Sequence, residues 1–219
     1  MPDDTSSDFA PAADGTLLQA TNLNFSFPGG PALIHQLSLA LPAGITLVRG
    51  GDGRGKSTLM RLLAGALAAQ AGELHIGATS LRQQPAAYRA RLFWTEARNE
   101  AFDQMTPPDW FASVRKRYPM FDGETLAGLV EGLGLTPHTN KQLFMLSTGS
   151  KRKVWMAGAL ASGAQVTLID EPFAALDTPS IRFLQRALQD AASTGRAVVI
   201  ADYDAPEDLA LVGVVALGD

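Results

Sequence analysis

Apolar positions along this chain follow two rhythms, one of alternating extended runs and one of helical spacing. Leu17–Phe27 and Leu37–Leu41 read as strands of an early antiparallel sheet, separated by the turn Pro28-Gly29-Gly30-Pro31. Gly44–Arg49 is a short apolar strand that runs directly into a glycine-rich loop. After that loop Leu59, Leu62, Leu63, Ala66 and Leu67 recur at the i, i+3, i+4, i+7, i+8 spacing of an amphipathic helix.

Strands are expected next near Glu73–Ile76 and Arg91–Trp94. From about 97 to 146 polar turns alternate with helical periodicity, so a helical insertion is expected there. Within it Asp122 can cap a helix whose Leu126, Leu129, Val130 and Leu133 share one face, with Gly134 placed to end it. The α/β rhythm then returns. Val166–Ile169 is an apolar strand, Pro179 opens a helix carrying Ile181, Leu184, Ala187 and Leu188, and Gly195 closes it. Ala197–Ala201 and Gly213–Leu217 complete a mostly parallel core sheet. Residues 1–16, rich in Pro, Asp, Ser and Ala, are expected to form a flexible tail, leaving 17–219 as one domain.

Composition narrows the picture. A chain of 219 residues with 46% hydrophobic content suits one sizeable domain. Its net charge of −4 argues against nucleic acid as a partner, because such surfaces must offset phosphate charge. The absence of cysteine excludes disulfides, thiolate catalysis and Cys-based zinc sites. Residues 1–15 hold acidic but no basic side chains, unlike a signal peptide, and no apolar run reaches the ~18 residues a membrane helix needs. No direct membrane insertion is therefore expected.

The chemistry begins in the glycine-rich loop. Gly50, Gly51, Asp52, Gly53, Arg54, Gly55, Lys56, Ser57 and Thr58 satisfy the pattern G-x-x-x-x-G-K-[ST], with a strand before and a helix after. Glycines let successive N–H groups wrap a phosphate, and the helix start adds its positive dipole end. Lys56 can reach the outer phosphates of a nucleotide, and the Ser57 hydroxyl can ligate Mg²⁺. Downstream, the strand Val166–Ile169 ends in two carboxylates, Asp170 and Glu171. Beside a phosphate loop, the first is placed to hold Mg²⁺ and the second to orient or deprotonate a water. Without that loop the same pair would read as solvated turn residues.

Together with Leu146-Ser147-Thr148-Gly149-Ser150 and Ala175-Leu176-Asp177, these residues resemble the ABC (ATP-binding cassette) ATPase family over nearly everything after the tail. The first of those segments stands where the family has its signature loop, usually LSGGQ; the second stands at its D-loop. The resemblance implies a P-loop NTPase (RecA-like) core with an N-terminal antiparallel β-subdomain and an inserted α-helical subdomain. It implies ATP and Mg²⁺ as ligands, and a head-to-tail dimer in which Ser147, Gly149 and Asp177 of one subunit complete the site of the other. It further implies a separate transmembrane permease, gripped by the helical insertion, and a place on the cytoplasmic face of a membrane. Phe27 sits where the family stacks an aromatic on adenine, although core packing is an equal reading of that residue.

Two positions depart from the family. Glu96 stands where a glutamine usually contacts Mg²⁺; a carboxylate can still ligate the ion but adds negative charge, unless the loop aligns differently. Tyr203 stands where a histidine usually contacts the γ-phosphate, in the run Asp202-Tyr203-Asp204. The chain's histidines are His35, His75 and His138, so none can substitute by a shift of register. ATP binding with slowed turnover is the expectation. The leading reading is therefore a transport ATPase; its rivals are a slowed cassette acting as a regulatory partner, a soluble ABC protein, and some other P-loop enzyme.

Overall fold

Why the chain alternates as it does is visible in the two sheets that the computed structural model forms; it describes residues 15–95, 100–204 and 206–218. An antiparallel sheet has the order β2-β1-β4-β5, built from β1 (Thr16–Ser26), β2 (Ala32–Pro42), β4 (Ala71–Ile76) and β5 (Thr79–Ser80). A parallel sheet has the order β6-β7-β8-β3-β9, from β3 (Gly44–Arg49), β6 (Leu92–Thr95), β7 (Val166–Asp170), β8 (Ala197–Asp202) and β9 (Leu211–Ala216).

Alternation sorts side chains to the two faces of the parallel sheet. Val48, Val166, Leu168 and Val199 face one core with the antiparallel sheet and α1 (Lys56–Leu63). Ile45, Leu47, Ile169, Val198 and Ile200 face a second core with α5 (Thr148–Ala161) and α6 (Thr178–Ser193). Buried on both faces, these strands read as continuous apolar runs, as a covered parallel sheet requires.

The expected helical insertion holds α3 (Pro107–Arg117), α4 (Gly123–Gly132) and 3₁₀ turns at Thr136–His138 and Leu143–Met145; the short α2 (Pro85–Ala90) precedes it. Asp122 caps α4, accepting a 2.9 Å hydrogen bond from the Glu124 N–H. The insertion is fixed to the core through Trp110 and Trp155, whose rings meet at 73° with centroids 4.4 Å apart. Gly158 permits that approach, since a β-carbon there would lie 2.2 Å from the Trp110 ring.

Some boundaries differ from the sequence reading. The first strand starts at Thr16, inside the expected tail, because Thr16 pairs with Pro42. The second begins at Ala32 rather than Leu37, since pairing with β1 continues through register shifts to Ser26↔Ala32. Helix α1 stops at Leu63, before Ala66 and Leu67, because Gly65 takes a φ of 65° beside Leu81.

Candidate active site

The site follows from strand order. Strand β8 lies between β3 and β7, with Arg49 in register with Asp202 and Asp170 in register with Ala201. The loop after β3 and the acids after β7 and β8 therefore gather at the carboxyl edge of one sheet, where open α/β sheets bind their ligands.

The loop itself is shaped by two left-handed glycines, Gly53 at φ 77° and Gly55 at φ 96°. Gly55 is also the residue that opens α1, and it offers no side chain to the helix's first N–H groups. Those groups are left pointing outward, which suits an anion. Lys56 folds back over the loop, its ammonium donating to Gly50 O at 2.7 Å and Gly51 O at 3.1 Å. Asp52 and Arg54 are exposed, whereas Thr58 is buried under the helix.

Ser57 reaches Asp170 through a side-chain hydrogen bond. Burial raises the Asp170 pKa, the neighbouring Glu171 raises it further, and Ser57, Lys56 and Arg152 oppose the shift. Its Oδ1 is buried without a partner among the described residues. A hydroxyl beside a carboxylate with a spare buried oxygen is a fitting donor set for Mg²⁺, which prefers hard oxygen ligands. Glu171 is half exposed, has a φ of 49°, and donates its N–H to Ala201 O at 2.8 Å.

Asp202 is the site residue that sequence reasoning missed. Burial raises its pKa, and Glu171 and Asp170 add to the shift while Lys56 opposes it, so it stands among the same charges. The available signal was its place at the end of a strand bound for the middle of the sheet. Tyr203, next along, is 72% exposed and held by its N–H, which donates to Asp202 Oδ1 at 2.8 Å. Phe27 is 49% exposed, while its neighbour Phe25 takes the core position and meets it edge-on at 5.0 Å. Glu96 lies outside the described residues.

Ser147, Gly149 and Asp177 form a second cluster. Ser147 caps α5, its Oγ accepting from Ser150 N–H at 3.1 Å. Asp177 caps α6, accepting from Ser180 N–H at 2.8 Å, and pairs with Lys153 at 3.0 Å. Ser180 and then Lys153 hold its carboxyl below the usual range. A β-carbon on Gly149 would lie 2.4 Å from Ala175 O, so the start of α5 rests on the loop before α6. Among the described residues no hydrogen bond joins Ser147 or Gly149 to the phosphate loop of the same chain.

Comparison with known proteins places this geometry among relatives. The family model described as ABC transporter matches residues 34–174. The cobalt import ATP-binding protein CbiO of Rhodobacter capsulatus is 33% identical over 211 residues, 92% of this chain and 75% of CbiO. The cytochrome c biogenesis ATP-binding export protein CcmA of Pseudomonas syringae pv. syringae is 31% identical over 190 residues, 85% of this chain and 87% of CcmA. Among solved structures, an ATP binding subunit of an ABC transporter superposes with a TM-score of 0.78 at 20% identity, covering 86% of this chain and 80% of its own. A Pyrococcus furiosus protein titled as a putative ABC transporter ATP-binding protein reaches 0.74 at 17% identity, over 91% of this chain and 96% of its own; these two likenesses speak for the fold alone.

Proposed function

The chain belongs to the ABC transporter family, and from that premise we propose that it hydrolyses MgATP as a head-to-tail dimer that drives a separate membrane permease. It is an ATP-binding subunit of an ABC transporter, the role that CbiO and CcmA carry in their names. The observation that carries the hydrolytic reading is the spare, buried Asp170 oxygen beside Ser57, one residue from Glu171 and next to the phosphate loop.

In this reading the loop N–H groups and the start of α1 bind the phosphates, and Lys56 exchanges its bonds to Gly50 and Gly51 for phosphate oxygens. Ser57 and Asp170 would hold Mg²⁺, which when bound would offset negative charge on the phosphates. Glu171 orients the attacking water and accepts its proton. Phe27, free of the core, supplies an aromatic face for adenine. Ser147 and Gly149 present the start of α5 to the partner's nucleotide, and Asp177 lies at the same interface.

Work at a membrane calls for a partner, since no helix among the described residues is long and apolar enough to cross one. Phe144 and Met145 in the insertion expose apolar side chains, which suits a permease contact. A second reading, a slowed cassette, is favoured by Asp202, which adds a third carboxylate against Lys56, and by the exposed Tyr203 in the histidine's place.

Steady-state hydrolysis of MgATP by the wild type and Glu171→Gln, with nucleotide binding measured alongside, tests both. Turnover that drops about 10²–10⁴-fold in the variant while binding persists is the expected result. Turnover unchanged in Glu171→Gln would sink the assignment of Glu171. Binding without Glu171-dependent turnover would select the slowed reading.

A further inference from the structure

We infer that Arg152 is a positioning residue for Glu171, and so for the attacking water. Arg152 stands near the start of α5 and is buried although it is charged. Its Nη1 donates a hydrogen bond to the Glu171 backbone carbonyl, and its Nη2 lies 3.8 Å from Glu171 Oε2. One rigid planar group thus grips residue 171 by main chain and side chain together. A guanidinium fixes direction as well as charge, because its donors share a plane.

The grip matters because Glu171 occupies the left-handed region at φ 49°, which residues with a β-carbon disfavour. Such a conformation persists only where its surroundings over-determine it. Here β8 holds the Glu171 N–H through Ala201 O at 2.8 Å, and α5 holds the carbonyl through Arg152. The burial of Arg152 has the same explanation. A guanidinium withdrawn from water needs an ionic partner; among the described residues Glu171 forms the ion pair with it, and Asp170 also feels its charge. Helix α5 therefore bears Ser147 at its cap and, one turn on, the group that aims this subunit's own Glu171.

The inference rests on Glu171-dependent hydrolysis, so wild type and Glu171→Gln are measured beside Arg152→Ala, Arg152→Gln and Arg152→Lys. Misplacing a reacting group lowers kcat, and a loss of about 10- to 100-fold is expected in Arg152→Ala and Arg152→Gln. KM and nucleotide affinity are expected to stay within about twofold of wild type, because among the described residues Arg152 makes no hydrogen bond or ion pair with the phosphate loop. Partial recovery of kcat in Arg152→Lys, which restores charge without the fork, completes the expected pattern. Should Arg152→Ala fail to fold, Arg152→Gln carries the same reading with the side-chain volume kept. Wild-type kcat in Arg152→Gln overturns the inference, as does a loss of nucleotide affinity matching the loss of turnover. Both outcomes differ from failure of the functional reading, in which the wild type itself shows no Glu171-dependent turnover and the inference falls with it.

Discussion

The two clusters at this molecule's carboxyl edges spend their polar groups differently. Around the phosphate loop, capacity is left over: Asp170 has a buried oxygen with no partner among the described residues, and burial with repulsion from neighbouring acids pushes the Asp170 and Asp202 carboxyls up. Around the starts of α5 and α6, the side chains are already committed. Ser147 and Asp177 cap their own helices, Lys153 pairs with Asp177, and Gly149 rests on Ala175. Strain of the first kind is what a ligand relieves. A cluster of the second kind is a finished scaffold that offers a helix N-terminus to something outside the chain.

The most severe test of that contrast is Gly149→Ala. Its β-carbon would lie 2.4 Å from the Ala175 carbonyl, so α5 must shift against the loop before α6. Overpacking of this kind costs about 1–3 kcal/mol. The variant is expected to keep nucleotide binding as a monomer and to lose MgATP-dependent dimerisation, read by light scattering. Dimers that form normally would show that the tight packing at Gly149 is incidental.

Tyr203→His is expected to raise turnover a few-fold, an increment well under the 10²–10⁴-fold range of a full acid–base contribution. An unchanged rate would mean that the exposed Tyr203 has no bearing on the γ-phosphate.

The smallest effects are the most diagnostic, because they have opposite signs. A carboxyl with a raised folded pKa destabilises the fold where it is ionised, above its unfolded value near ~3.9. Asp202→Asn should therefore raise the melting temperature at neutral pH, with the gain fading as pH falls through the raised folded value and gone below the unfolded one. A carboxyl with a lowered folded pKa stabilises above the unfolded value and loses that contribution as pH falls toward the folded one. Asp177→Asn should lower the melting temperature at neutral pH, with the difference vanishing in acid. Two shifts of the same sign would erase the distinction between the clusters.

Much of this was legible in the sequence. The parallel strands announced themselves as apolar runs because both faces are covered, and the loop did so because G-x-x-x-x-G-K-[ST] is a local pattern needing only neighbouring residues. Asp122 and Gly134 marked the ends of α4 for the same local reason. Asp202 was passed over, since nothing in its own neighbourhood separates a strand-end acid in a site from one in solvent. In sequence the basic run Lys151-Arg152-Lys153 looks like any solvated helix face, yet Arg152 is buried.

Local pattern and periodicity in the sequence were enough to place the core strands, α4 and α6, the phosphate loop and the acids that end β7, because each depends on neighbouring residues alone. The packing of whole strands into a sheet was needed to bring β8 between β3 and β7, and hence Asp202 beside Asp170 and Glu171. The tertiary structure also decided that α5 packs close enough for Arg152 to reach Glu171 from 19 residues away. Strand order and helix packing are long-range choices made by burial of whole faces, and charges follow wherever those faces carry them.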